Sequence, residues 1–351
     1  MKKHLLFAAL ASAALVSCVN DEDGQFLNEE KAPQPITFNT PITGMNTRTV
    51  YGEMESPYSK EETFNEWGLV HTGNYAGTGW STSDVIINDV TVKYNAGLNG
   101  WETDGHTYFW PAGKMMTFCA YSPTQAKTDV ASNSGTITCN NTGITITNFK
   151  VSDDTDKQYD LMYSEVARNK NSSPSSSTGG YNGVDLNFHH ALSSVTFYVK
   201  LGSGVSSGSV KDVKINNVKN SGTFKQGVIW DSETLLEHTQ GKPKWEQGSS
   251  TQSYVVLGAE QAASSDPVQI GDDMILLPQS LSDEATITLS YKLGSNPWTE
   301  HTIEINDLTA EWLMAKRYNY TIILGGSGVT QIYFAPNVIA WSNADSDVNV
   351  P

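Results

Sequence analysis

The sequence predicts an all-β protein made of two sandwich domains, and three observations carry that reading. Apolar residues make up 38% of the chain and draw heavily on Val, Ile, Tyr, Trp and Phe, the types that suit a pleated, half-buried surface. Short alternating runs recur between turn residues along nearly the whole chain, and 29 glycines punctuate them. A length of 351 residues fits two domains of about 100–200 residues each.

Residues 1–17 read as a targeting segment. Lys2 and Lys3 form a basic start, and the twelve residues 5–16 form an apolar run. That run is shorter than the roughly 20 residues a bilayer-spanning helix needs, and it suits a signal peptide. Leu15, Val16, Ser17 and Cys18 resemble the lipobox of bacterial lipoproteins, in which the cysteine is acylated and becomes the first residue after cleavage. The alternative is an ordinary secretory signal with an incidental cysteine. Residues 18–33 form an acidic tether, and Asp21, Glu22 and Asp23 resemble a surface-export signal or simply keep the tether solvated. Either way the body lies outside the cytoplasm, and a lipid on Cys18 would hold it at the cell surface and outer membrane.

Net charge is −16, and loss of Lys2 and Lys3 with the signal segment leaves −18. Such a surface repels phosphate backbones, so nucleic acid is not an expected partner. Only three arginines occur, Arg48, Arg168 and Arg317, too few for a phosphate-gripping cluster.

Residues 34–48 follow the tether. Ile36, Phe38, Thr40 and Ile42 recur with period two, the pattern of a strand with one buried face. Pro35 and Pro41 push that strand towards a sheet edge, from which it is removable. Arg48, followed by Thr49, lies in a polar stretch that a trypsin-like protease can reach.

The first domain is expected over residues 34–183. Strands are expected at 67–71, 85–94, 107–110, 116–121, 135–139 and 144–149, with a turn at Asn99-Gly100 and almost no helical periodicity. Asp153, Asp154, Asp156 and Asp160 raise a calcium reading, but the glycine and distal glutamate of a calcium loop are missing, which favours a solvated acidic loop. If Cys18 carries lipid, Cys119 and Cys139 remain as an even pair, either bonded or separate as small buried side chains. Residues 169–183, rich in Ser, Gly and Asn, read as the interdomain linker or a long exposed loop.

The second domain is expected over residues 184–351. His189 and His190 are adjacent on a strand and therefore point to opposite faces, which favours structural roles over shared metal ligation. Strands are expected at 195–199, 213–218, 227–230, 254–257, 274–277, 285–293, 301–305 and 318–324, and then as two short pieces at 332–334 and 338–341. No His-Glu-x-x-His, phosphate loop or Cys-x-x-Cys occurs, so no enzyme, cofactor or catalytic residue is expected.

Several stretches together resemble the fimbrillin family, the subunits of protease-assembled pili. They are Phe118-Cys119-Ala120-Tyr121-Ser122-Pro123, Asp160-Leu161-Met162-Tyr163-Ser164, Phe188-His189-His190-Ala191-Leu192, Leu276-Leu277-Pro278-Gln279, Trp312 through Lys316 to Tyr318-Asn319-Tyr320, and Ile332-Tyr333-Phe334 with Val338 and Trp341. Ala315 departs from the pattern, because a turn glycine is expected before Lys316. The resemblance implies two tandem transthyretin-like sandwiches exported as a lipoprotein. It implies cleavage by a trypsin-like protease after Arg48, leaving Thr49 first, with departure of the strand carrying Ile36, Phe38 and Ile42. A neighbouring subunit's strand then fills the groove, and Ile332, Phe334, Val338 and Trp341 are the donor candidates. The alternatives are an uncut, lipid-held pilus anchor and a standalone lipoprotein that grips a host glycan or protein through its aromatic residues.

Overall fold

The strand-forming runs seen in the sequence are assembled into layered sheets. The structure is a computed structural model that describes residues 33–40, 58–72, 84–140, 143–172, 183–227, 243–325 and, by backbone course, 332–340. All its named elements lie in the unit Gln34–Pro351.

In chain order the first strands are β1 (Phe38–Asn39), β2 (Phe64–His71), β3 (Val85–Asn95), β4 (Gly100–Thr103) and β5 (Met115–Ser122). Helix α1 (Gln125–Ser132) follows, then β6 (Ile137–Asn140), β7 (Gly143–Lys150), β8 (Met162–Ser164), β9 (Ala167–Lys170), β10 (Val184–Asp185) and β11 (Phe188–His190). The rest are β12 (Ser193–Leu201), β13 (Gly208–Lys219), β14 (Ser221–Lys225), β15 (Lys244–Gln247), β16 (Thr251–Leu257), β17 (Gln261–Ala262), β18 (Val268–Leu276), β19 (Gln279–Ser280), β20 (Thr286–Leu293), β21 (Thr299–Glu304), β22 (Glu311–Trp312), β23 (Lys316–Leu324) and β24 (Ile332–Ala340). The all-β class read from the sequence is what the chain adopts.

The C-terminal strands form a sandwich. One sheet runs β18-β12-β23-β24 and the other β16-β13-β20-β21. Val195, Phe197, Tyr320 and Ile322 from the first share one core with Val210, Ile215, Tyr254 and Ile287 from the second. The period-two alternation of β20 and β23 explains this, since one face of each is buried and the other is half-exposed.

The N-terminal strands are organised differently. Nine form one sheet, in the order β10-β1-β4-β3-β2-β5-β8-β11, with β9 also paired to β5. Its two end strands, β10 and β11, are separated in sequence only by Leu186 and Asn187. Three residue steps span at most about 11 Å, so the two ends of the sheet must come together and the sheet rolls on itself. The rolled interior holds Phe38, Phe64, Val92, Trp101, Met116, Phe118 and Phe188. Gly68 makes this packing close: a Cβ there would lie 3.0 Å from Met116 Cε and Phe118 Cε1. The opposite face, carrying Trp67, Cys119 and Tyr121, packs with Ala126 and Val130 of α1 and Ile144 and Phe149 of β7.

Several expectations are corrected. Helix α1 was not expected; it is short, and only Ala126 and Val130 are buried on it, too few for a periodic signal. Residues 107–110 form only an isolated bridge at Phe109 rather than a strand. Asn169 and Lys170, expected in the linker, belong to β9, and residues 173–182 lie outside the described residues. The expected domain boundary at 183/184 cuts the rolled sheet, because β10 and β11 complete it; β14 likewise pairs with β7 of the N-terminal half. The two expected final strands are one, since Pro336 lies within β24 at the sheet edge, where its missing N–H costs no ladder bond on the open side. Of the strand expected at 227–230, residues 228–230 lie outside the described residues.

Ala315 accounts for its own departure from the family pattern. It is 5% exposed, its N–H donates to Leu192 O at 2.8 Å, and its φ is +57°. An alanine held there carries left-handed strain. Ala315→Gly is expected to stabilise the protein by about 1 kcal/mol, after the greater freedom glycine gives the unfolded chain is subtracted. Equilibrium urea unfolding measures it, and an unchanged or lowered midpoint would contradict it.

Candidate functional site

The segment 34–39 occupies a slot in the rolled sheet. Ile36 N donates to Tyr108 O at 2.8 Å and Trp110 N to Gln34 O at 3.0 Å on one side. On the other, Val184 N donates to Thr37 O and Leu186 N to Asn39 O, each at 2.8 Å. Phe38 stands opposite Trp101 in an antiparallel register and opposite Val184 in a parallel one. Strand β1 therefore lies between β4 and β10 and is not an edge strand. Proline does not forbid this. Pro35 faces Phe109 between the two bonds just named, a position that calls for no N–H towards that neighbour. The cover on the far side is only the two-residue β10.

Side chains anchor the segment as well as its backbone. Ile36 and Phe38 are 2% and 0% exposed. The Phe38 ring makes edge contacts with Phe118 at 5.6 Å and Phe64 at 6.3 Å. Tyr58 closes the same core, stacking on Phe188 at 5.1 Å with its hydroxyl 2.6 Å from Ser122 Oγ. Burial raises the Tyr58 phenol well above its ordinary pKa, with the Ser122 hydrogen bond opposing.

Gly183 is fitted to the strand it covers. Its φ is +102°, and a Cβ there would lie 3.0 Å from Phe38 C and 3.1 Å from Phe38 N and Thr37 C. Those neighbours are backbone and cannot rotate away. Gly183→Ala is expected to weaken the seating of β1 by about 1–3 kcal/mol. Hydrogen exchange at the Ile36 and Leu186 amides reads this out; undiminished protection would contradict it.

The donor candidates stand elsewhere. Ile332, Phe334 and Val338 lie in β24, paired in register with Leu324, Ile322 and Tyr318 of β23. β24 is the last strand of its sheet, so its outer side has no strand neighbour among the described residues. Cys18, Ile42, Arg48, Thr49 and Trp341 lie outside the described residues.

Cys119 of β5 and Cys139 of β6 are joined by a disulfide. His189 stacks on Tyr163 with Nε2 3.2 Å from Glu165 Oε1, and His190 Nδ1 is 2.6 Å from Asp160 Oδ2. Asp154 caps a short helical turn at Asp156 N and pairs with Lys157 Nζ at 2.7 Å. Asp154 and Asp160 are thus engaged separately, and no cluster of metal-ligating side chains occurs among the described residues. No described helix is long and apolar enough to cross a membrane.

Sequence reasoning missed Glu66. In the run Phe64-Asn65-Glu66-Trp67 it reads as the polar face of an amphipathic strand, yet it is 0% exposed. Burial holds its carboxyl well above the ordinary carboxylate range, opposed by the Cys119 N–H.

A family model described as fimbrillin-like matches residues 68–341. Among solved structures, a candidate cell adhesion protein from Bacteroides uniformis is 15% identical with a TM-score of 0.51, covering 88% of this chain and 98% of its own. Another from Bacteroides ovatus is 15% identical with a TM-score of 0.48, covering 88% and 97%. The fimbrial anchor protein Mfa2 of Porphyromonas gingivalis is 14% identical with a TM-score of 0.32, covering 88% and 99%. The first of these marks a shared fold. No curated protein matches the chain. The family model runs from within β2 of the rolled sheet to the end of β24, most of the chain, and the protein therefore belongs to the fimbrillin-like family.

Proposed function

We propose that this protein is a structural, tip or accessory subunit of a cell-surface pilus that contributes to adhesion. Its family is one of fimbrial and adhesion proteins, not of enzymes. It is exported as a lipoprotein held at the outer membrane through Cys18, and a trypsin-like protease cuts between Arg48 and Thr49. Strand β1 then leaves, and a neighbouring subunit's strand takes its place.

One observation carries this reading. The strand that carries the fully buried Phe38 precedes Arg48 in sequence, so a cut there leaves only non-covalent contacts holding it. A vacated slot offers the Tyr108 carbonyl and the Trp110 N–H on one side and the Val184 and Leu186 N–H groups on the other, above an aromatic floor. That is the chemistry of strand addition, in which backbone bonds hold the strand and alternate side chains fill pockets. The donor is the chain end from Ile332 through Phe334 and Val338 to Trp341. Its release must unpair β24 from β23, which favours transfer only once a better partner slot is open.

The test is treatment of the purified chain with an arginine-specific protease, followed by size-exclusion chromatography and mass spectrometry. The expected result is a cut at Arg48, loss of the N-terminal fragment and growth of oligomers, none of which occurs in Arg48→Ala. Equal oligomerisation of both chains would contradict the reading. An uncut chain that stays monomeric would instead fit a lipid-held anchor or a glycan-binding lipoprotein.

A further inference from the structure

Glu66 lies on β2 between Phe64 and Gly68 and opposite Ala120 of β5, and Phe64 and Ala120 line the interior of the rolled sheet. Strand alternation therefore turns Glu66 inward with them. It is fully buried, and neither carboxyl oxygen has a hydrogen-bond partner. The backbone N–H of Cys119 acts on the carboxyl weakly, short of a full hydrogen bond.

Among the described residues, the charged groups on the surrounding elements are engaged elsewhere or lie along the sheet from it: on β9, Lys170 stands opposite Met116, four residues along β5 from the Ala120 that faces Glu66. β1 brings only Ile36 and Phe38 to this core. Asp89 of β3 is engaged by Asn65, Tyr121 and Lys127, and Glu102 of β4 by Asn95. Tyr58 is bonded to Ser122, and Lys60 lies over Tyr94 at the margin. β8 brings Met162. Asp185 of β10 faces Asn39, and His189 and His190 of β11 face Glu165 and Asp160. A carboxylate without a partner in such a core is excluded by its solvation cost, so the group there is the neutral acid.

We propose that Glu66 is a proton-operated latch for the N-terminal strand, neutral while Phe38 fills the roll and ionised once the strand has left. This rests on the strand-replacement reading only in that it describes what the leaving strand uncovers. Phe38 packs on Phe64, two residues before Glu66 on β2, and on Phe118, which lies diagonally from Glu66 on β5 opposite Gly68. Its departure admits water beside the carboxyl, whose pKa then falls back towards the ordinary carboxylate range. The seated state has the raised pKa and so binds one more proton than the open state. Seating is therefore unaffected by Glu66 below the open-state pKa and weakens as pH rises above it, until the seated-state pKa is passed. At neutral pH the latch favours release of a cut strand, and acid holds it in place.

The experiment is hydrogen exchange on the uncut full chain at pH 5 to 8, comparing wild type with Glu66→Gln at the Ile36, Val184 and Leu186 amides. Intrinsic exchange chemistry cancels in the ratio of the two proteins. Opening of the wild type relative to the variant is expected to rise by up to about tenfold per pH unit, the limit for one proton. Glu66→Leu, which keeps the core apolar, gives the same ratio and covers a fold defect in the glutamine variant. A pH-independent ratio for both variants, or an ordinary carboxyl titration of Glu66 by carbon-13 NMR, overturns the latch. A native chain that keeps Arg48 would sink strand replacement and leave the latch standing. A flat ratio in a chain that begins at Thr49 on the cell would sink the latch alone.

Discussion

Phe38→Ala is expected to remove roughly 3–5 kcal/mol, the range for truncating a fully buried phenylalanine. Phe38 is 0% exposed and packs on Phe64 and Phe118, whose neighbours leave little room to collapse into the gap. The loss has a ceiling, because β1 is a two-residue strand covered on one side only by the two-residue β10 and is expected to detach before the rest unfolds. Once the deficit exceeds the strand's own seating energy, residues 34–39 detach and the remainder stays folded. The signature is therefore local: protection of the Ile36, Val184 and Leu186 amides falls far more than that of Ile287 or Tyr320 in the C-terminal sandwich. Uniform loss across both regions, or none, would contradict the slot as described.

Removing the disulfide is the second large expected effect. Cys119 belongs to the central β5 of the rolled sheet and Cys139 to β6 of a separate sheet, so the bond staples two layers across 20 residues of chain. Loop-closure entropy for that length gives about 3 kcal/mol, and replacing both cysteines with alanine should lower the unfolding free energy by that amount. Urea unfolding of the double variant measures it. The same shift should appear in the wild type under reducing conditions and be absent from the variant. A difference below about 1 kcal/mol would mean that packing of the surrounding core, not the covalent link, holds these layers together.

The sequence made the strands legible because alternation reports which face is buried. It did not make their neighbours legible, since period two carries no information about pairing partners. Phe38 was readable as a buried strand residue, but its partners Trp101 and Val184 lie far along the chain, and the two prolines argued for an edge. The geometry at Phe109 shows why proline was tolerated inside. The seam at β10 and β11 was hidden for the same reason: Val184 and Phe188 follow a composition break and read as the start of a second domain. Glu66 was invisible because an alternating pattern assigns every polar residue to solvent, whereas β2 is covered on both faces. The one available signal was the aromatic density on either side, Phe64 and Trp67, which marks a strand buried twice. Ala315 shows the opposite case, where the family pattern asked for glycine and the backbone kept the left-handed turn regardless.

Removal of the strand holding Phe38 by a cut after Arg48 is tested most directly by the N-terminus and intact mass of the protein taken from the surface of its own host. A chain beginning at Thr49, without lipid and without residues 34–39, is the expected result. A chain beginning at an acylated Cys18, with Arg48 intact while the host's proteases are active, would contradict it.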